Sequence, residues 1–205
     1  NSNSNSNSNS NSNSNSNSNS NSNSNSNSNS NSNSNTNSKL FNEESEMYFK
    51  DTVFENISSN SKYLIKVLFY PISFIQCTFD NIICNGAADE STIFEIDPTI
   101  RTNKYIFNDL LFKNCKSNGN ILTIYGNNVD LEMSGTIIDG ISSYGPIVNN
   151  HALKSTVNIN NVKIINNSNI NKNKCGIFTF HQDTDLFIKN SEFSNNKVKN
   201  DGGVL

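Results

Sequence analysis

From Met47 onward the chain repeats one pattern of apolar and polar positions: a large apolar residue, four residues, a second apolar residue, one residue, then Asn or Gly. The copies read Phe49/Phe54/Asn56, Phe74/Phe79/Asn81, Phe107/Phe112/Asn114, Met133/Ile138/Gly140, Ile159/Ile164/Asn166 and Ile188/Phe193/Asn195. They begin 25, 33, 26, 26 and 29 residues apart, the interval of a solenoid whose coils bury their apolar faces only against one another. In the last copy Leu186 and Ile188 alternate as an inward-facing strand, Lys189-Asn190 bends the chain, and Phe193 enters the core from a second short strand. A third strand recurs after a loop of variable length, at Leu64-Ile65-Lys66-Val67, Ile93-Phe94-Glu95-Ile96, Ile121-Leu122-Thr123-Ile124, Ile147-Val148 and Ile177-Phe178-Thr179-Phe180. Three strands and three bends predict a triangular coil. Six coils at ~4.8 Å each predict a rod about 30 Å long.

The turn residues carry a physical reason. Asn tolerates the left-handed backbone that a tight bend needs, and its amide can both donate and accept along the stack. Phe in register in successive coils stacks along the core. Gly145-Pro146, Cys175-Gly176 and Gly202-Gly203 precede third strands, where the backbone must swing sharply. Length variation is expected in the loops before those strands. The longest, 85–91, together with 98–103 in the same coil, is where a binding surface could grow.

Ser191-Glu192-Phe193-Ser194-Asn195-Asn196 followed by Asp201-Gly202-Gly203-Val204-Leu205 resembles the F-x-x-N and G-G-A-[ILV] repeats of chlamydial polymorphic membrane proteins and of similar adhesin-like proteins. That resemblance implies a right-handed parallel β-helix, secreted or held on the cell surface. It is strongest over residues 184–205; the earlier copies place Ile57, Ile82 or Cys115 where a second Asn would stand. The competing fold is a leucine-rich repeat, because Ile159, Val162, Ile164 and Asn167 fit the L-x-x-L-x-L-x-x-N spacing. The expectation is therefore an all-β chain: a right-handed parallel β-helix solenoid of about six coils over 39–205, behind a disordered Asn/Ser tract.

That tract, residues 1–38, alternates Asn and Ser apart from Thr36 and holds no apolar side chain to offset the entropy of ordering. It reads as a low-complexity spacer, with a polar zipper between chains as the other reading. Ile, Phe, Val and Leu dominate the apolar residues of the remainder, a bias toward strand. The net charge of -3 and pI near 5.3 argue against a nucleic-acid partner held by a basic stripe. No run is long enough to span a membrane and no signal peptide is visible, so the extracellular or cell-surface address comes from the resemblance alone. The last residues stop in mid-coil, which leads us to expect a repeat domain that continues beyond Leu205 and, in isolation, end-to-end self-association through unpaired strand edges.

Candidate chemistry is sparse. Cys77, Cys84, Cys115 and Cys175 lack a C-x-x-C spacing, so no metal site is expected. Cys77 reads as a small core residue; Cys84 and Cys115, both just past the Asn bend in consecutive coils, are the pair to test for a disulfide, with free thiols the favoured reading. Asn56-Ile57-Ser58 and Asn166-Asn167-Ser168 are sequons, with Asn56 and Asn166 at the bend position, where an inward amide would be closed to a glycan. A glycoside hydrolase would need two acids facing one groove; the candidates are Asp183 with Asp185, Asp89 with Glu90, and Asp139. A lyase would need a base such as Arg101, the chain's only Arg. His151 and His181 each follow a third strand, on one edge of the rod, with no nucleophile beside them in sequence. No cofactor motif occurs. The functional expectation is a non-catalytic adhesin-like scaffold binding carbohydrate or protein; the alternatives are a β-helix polysaccharide lyase or hydrolase, and a structural spacer in a larger surface protein.

Overall fold

The computed structural model describes residues 46–87, 91–200 and 203–204. The Asn/Ser tract, Asp89, Glu90 and Gly202 lie outside the described residues. What is described is a parallel β-solenoid of six coils, every strand pair parallel. The first face stacks Met47–Lys50, Ile72–Ile75, Thr102–Asn108, Asn128–Ser134, Lys154–Asn160 and Asp183–Lys189. The third face stacks Tyr63–Leu68, Thr92–Asp97, Asn120–Ile124, Val148–Asn150 and Phe178–Phe180. No helix occurs among the described residues, so the helical backs that a leucine-rich repeat uses are missing there and the solenoid reading prevails.

The six apolar residues read from the sequence form one column. Phe54 pairs with Phe79, Phe79 with Phe112, Phe112 with Ile138, Ile138 with Ile164 and Ile164 with Phe193. A second column runs Phe49, Phe74, Phe107, Met133, Ile159 and Ile188 along the first face. The third face supplies Ile65, Phe94, Leu122, Val148 and Phe178. Their rings meet in the interior. Phe79 lies parallel to Phe54 at 4.8 Å and to Phe112 at 4.7 Å, and edge-on to Phe74 at 5.7 Å and Phe94 at 5.1 Å. Each such pair is worth about 0.5–1.5 kcal/mol beyond the area it buries.

The bends obey a stricter rule than the sequence showed. Asn56, Asn81, Asn114, Gly140, Asn166 and Asn195 all have φ between 53° and 69°. Five residues before each stands another left-handed residue: Asp51, Gln76, Asp109, Gly135, Asn161 and Asn190, with φ between 50° and 57°. Every coil thus turns twice through the left-handed region, around a strand as short as Leu111–Lys113. Only Asn190 in this earlier set was legible as a bend. The others are mixed in type, and Gln and Asp carry weaker turn signals than Asn and Gly. The second face is folded at the later bend, so that Lys116–Ser117, Ser142–Ser143, Ser168–Asn169 and Lys197–Val198 form a short ladder of their own.

The bend amides face outward. Asn81 Nδ2 donates to Asn56 Oδ1 at 2.9 Å, as expected of a ladder, but Asn114 Nδ2 donates to Asp80 Oδ1 and Asn166 Nδ2 to Asp139 Oδ1. Two of these three bonds therefore run between an amide and a carboxylate, and Asp80 is held below its ordinary value by the Asn114 amide and the Lys113 ammonium, whose Nζ lies 3.1 Å from it. The inward positions follow one residue later, at Ile82, Cys115, Ile141 and Asn167, all buried.

Candidate functional site

Tyr125, His151 and His181 each follow a third-face strand by one residue. Since Ile124, Asn150 and Phe180 stand in register, the three rings fall one above another. Tyr125 and His151 stack at 5.3 Å with planes 12° apart, and His151 and His181 at 4.5 Å with planes 11° apart. Backbone hydrogen bonds, His151 N to Ile124 O at 2.7 Å and His181 N to Asn150 O at 3.0 Å, carry the ladder through the corner. Parallel imidazoles cannot aim their in-plane lone pairs at a single ion, so this arrangement stacks rather than chelates. Among the described residues no group of three or more His, Cys, Asp or Glu is placed to hold a metal.

The stack forms one rim of a cleft of about 330 Å³ that also takes in Asn120, Asn149, Thr179, Lys174 and Cys175. Its floor is the outer surface of the third face. Thr179 Oγ1 donates to Asn149 Oδ1 at 2.8 Å, which leaves the Asn149 Nδ2 hydrogens as donors. Asn120 Nδ2 donates to Thr123 Oγ1 at 3.0 Å, while Asn120 Oδ1 is buried without a partner. An unmade hydrogen bond at a buried oxygen costs about 1–3 kcal/mol. The space for that amide comes from Gly145, where a Cβ would lie 2.5 Å from Asn120 Oδ1.

The opposite wall is the loop 171–176, and it is fixed by asparagines. Asn169 Nδ2 donates to Lys174 O and to Gly176 O, both at 2.9 Å, and Asn171 Nδ2 donates to Tyr144 O at 2.9 Å. Asn169 Oδ1 and Asn171 Oδ1 accept the backbone N–H groups of Asn171 and Asn173. Gly176 turns back into the strand at φ 69°, and a Cβ there would come within 2.7 Å of Phe178 O. The wall is thus held before any ligand arrives, which lowers the ordering cost of binding.

The residues singled out from sequence are dispersed. Asp183 and Asp185 are exposed on the first face, beside Lys154 and Thr156, and neither lines the cleft. Arg101 is three strands away by register, about 14 Å, with its guanidinium 5.6 Å from the Tyr70 ring. Asp139 accepts the Asn166 amide. Cys84 and Cys115 are separate free thiols: Cys84 stands opposite Ser117, and its Sγ reaches Ser61 O and Thr92 O, whereas Cys115 Sγ reaches Phe79 O and Lys113 O. The candidate bridge is not formed: the two cysteines sit two positions apart along the ladder, so that their side chains are not neighbours across coils. Cys77 is buried, as a small core residue would be. Asn56 and Asn166 are exposed, with side chains pointing away from the core that would have closed them to a glycan.

Sequence reasoning placed the two histidines on one edge but did not single out Asn120, Tyr125, Asn149, Lys174 or Thr179. The usable signal was arithmetic. The third strands recur at 26 and 30 residues between Leu122, Val148 and Phe178, and the same steps separate 125, 151 and 181. No protein-family model, no curated protein and no solved structure matches the chain.

Proposed function

We propose that this protein is a non-catalytic, adhesin-like β-solenoid scaffold of the cell surface or extracellular space, and that it binds carbohydrate in the cleft between the Tyr125–His151–His181 stack and the loop 171–176. The observation that carries the reading is the composition of that cleft: ring edges and amide and hydroxyl groups, prearranged on a rigid floor and wall. Sugar rings present hydroxyl donors and acceptors around apolar C–H faces. They are served by paired amides and aromatic edges, whereas a protein partner would need a larger apolar patch. Among the described lining residues there is no pair of carboxylates of the kind glycoside hydrolysis employs. The surface address rests on the F-x-x-N resemblance.

The test is a glycan array probed with the full chain, repeated with Asn149→Ala and with the double variant His151→Ala/His181→Ala. Circular dichroism confirms the fold of each. Binding to at least one glycan that both variants lose supports the proposal. Binding that survives both, or no binding by a folded protein, sinks it.

A further inference from the structure

We propose that the outer surface of the first face carries a second saccharide site, centred on Phe187 and Asn158, and that its ligand is a neutral pyranose chain with equatorial hydroxyls. The proposal stands apart from the cleft, whose floor is the third face. Side chains pointing out of the first face form a grid, because its strands pair without offset. Glu132, Asn158 and Phe187 make one row across three coils, and Ser134, Asn160 and Lys189 the next. Neighbours within a row are ~4.8 Å apart and the two rows ~6.6 Å apart. Most polar groups here are spent on one another. Lys104 Nζ lies 3.2 Å from Glu132 Oε1, Ser134 Oγ donates to Asn108 Oδ1 at 2.7 Å, and Asn190 Nδ2 donates to Asn160 Oδ1 at 3.0 Å. The Asn158 side-chain amide, in contrast, makes no hydrogen bond within the described residues, and in register beside it stands Phe187, 50% exposed. Together with Glu132, Asn160 and Asn190 they border a shallow depression of about 410 Å³.

Three features select the ligand. An aromatic ring set among polar groups offers a platform for the apolar C–H face of a sugar. Equatorial hydroxyls leave that face bare and point edgewise, where the Asn158 amide can both donate and accept and the Asn160 Nδ2 hydrogens can donate. The charges cancel: Lys104 pairs with Glu132, and Asp185 and Lys189 flank Phe187 two residues to either side with opposite sign, so an ionic ligand gains no net partner. The strands present an open sheet surface, which suits a ribbon-like β-1,4-linked chain better than a coiled α-1,4-linked one. A protein partner would need a larger apolar centre than a single ring.

The experiment is titration calorimetry of the full chain with cellohexaose and with maltohexaose, repeated with Phe187→Ala, Phe187→Tyr, Asn158→Ala and the cleft variant Asn149→Ala, the fold of each checked by circular dichroism. The expected result is that cellohexaose binds more tightly than maltohexaose. Phe187→Ala should weaken it at least about threefold, the scale of one ring contact, while Phe187→Tyr retains it. Asn158→Ala should cost a similar factor, that of one hydrogen bond, and Asn149→Ala should leave the affinity unchanged. If the folded chain does not bind cellohexaose, or binds it equally well as Phe187→Ala, the second site is overturned. Equal affinity for maltohexaose overturns the assignment of the ligand as a ribbon-like chain. Binding lost in Asn149→Ala but kept in Phe187→Ala places the sugar in the cleft: the second site then falls and the proposed function stands.

Discussion

Asn167 and Asn196 are joined twice inside the solenoid: Asn196 Oδ1 accepts both the Asn167 backbone N–H and the Asn167 Nδ2 hydrogen, each at 3.0 Å. The pair stands where the earlier coils carry Ile57, Ile82, Cys115 and Ile141, so the core changes from apolar to amide as the stack proceeds. Asn167 is 1% exposed and fully engaged, its Oδ1 accepting the Ile141 N–H at 2.9 Å and its Nδ2 also reaching Ile138 O at 3.0 Å. A buried amide is tolerated because it closes the hydrogen-bond requirements of the bend on both sides.

Asn167→Ala should consequently destabilise the protein by about 1–3 kcal/mol, since it strips partners from the buried Ile141 N–H and Ile138 carbonyl. Asn167→Ile, which copies the earlier coils, should not restore stability, because the buried Ile141 N–H would remain without its acceptor. Urea denaturation of the full chain measures both. A loss below about 0.5 kcal/mol in Asn167→Ala would show that the interior ladder does not hold the stack.

Gly140 and Gly135 separate two costs that usually come together. Both are left-handed, at φ 69° and 57°, but a Cβ at Gly140 meets nothing within 4 Å while one at Gly135 would fall 2.0 Å from Asp109 Oδ1. Gly140→Ala should therefore cost about 1 kcal/mol, the backbone term alone, and Gly140→Asn less, as the other coils use Asn there. Gly135→Ala should cost clearly more, by displacing the Asp109 carboxylate. Equal melting temperatures for the two alanine variants would contradict this.

These positions also show what the chain's pattern revealed. The Phe54 to Phe193 column and the left-handed Asn bends were legible because each is a local event repeated six times, and repetition lifts a weak signal above its surroundings. The earlier bend was obscured, since Asp51, Gln76, Gly135 and Asn161 share a conformation but not a residue type. The cleft was illegible for another reason. Asn120, Asn149, Lys174 and His181 belong to different coils and owe their meeting to register, which depends on loop lengths that vary between coils. The unformed Cys84–Cys115 bridge has the same origin, a register offset of two positions that spacing from the Asn bend did not disclose.

The thiols offer a direct count. Cys77, Cys84 and Cys115 are buried and Cys175 is exposed in the cleft wall, all four without a disulfide. A maleimide reagent should modify one thiol per native chain and four in denaturant without reductant, and peptide mapping should place the native label on Cys175. Two reactive thiols in denaturant would mean a bridge exists after all. A ligand seated in the cleft should slow the native reaction, which gives a readout of occupancy independent of calorimetry.

Stability should fail on the alkaline side, with Cys115 leading. Burial pushes the Cys115 thiol up from 9.0 to about 11, and burial likewise raises Cys84 and Tyr105. Lys66 is raised by its hydrogen bond to Glu95, whose Oε1 lies 2.6 Å from the ammonium. All four hold their protons more tightly folded than unfolded, so the stabilisation is complete below the unfolded values and is lost as pH rises through the folded ones. For Cys115 that window is pH 9 to 11, and two units correspond to about 2–3 kcal/mol. Cys115→Ala should start from lower stability at pH 7, having lost buried contacts, yet decline less steeply between pH 9 and 11 than the parent chain. Parallel curves for the two proteins across that window would mean that the thiol is in reach of water, and that the Cys115 side chain is not sealed in the stack between Phe79 O and Lys113 O.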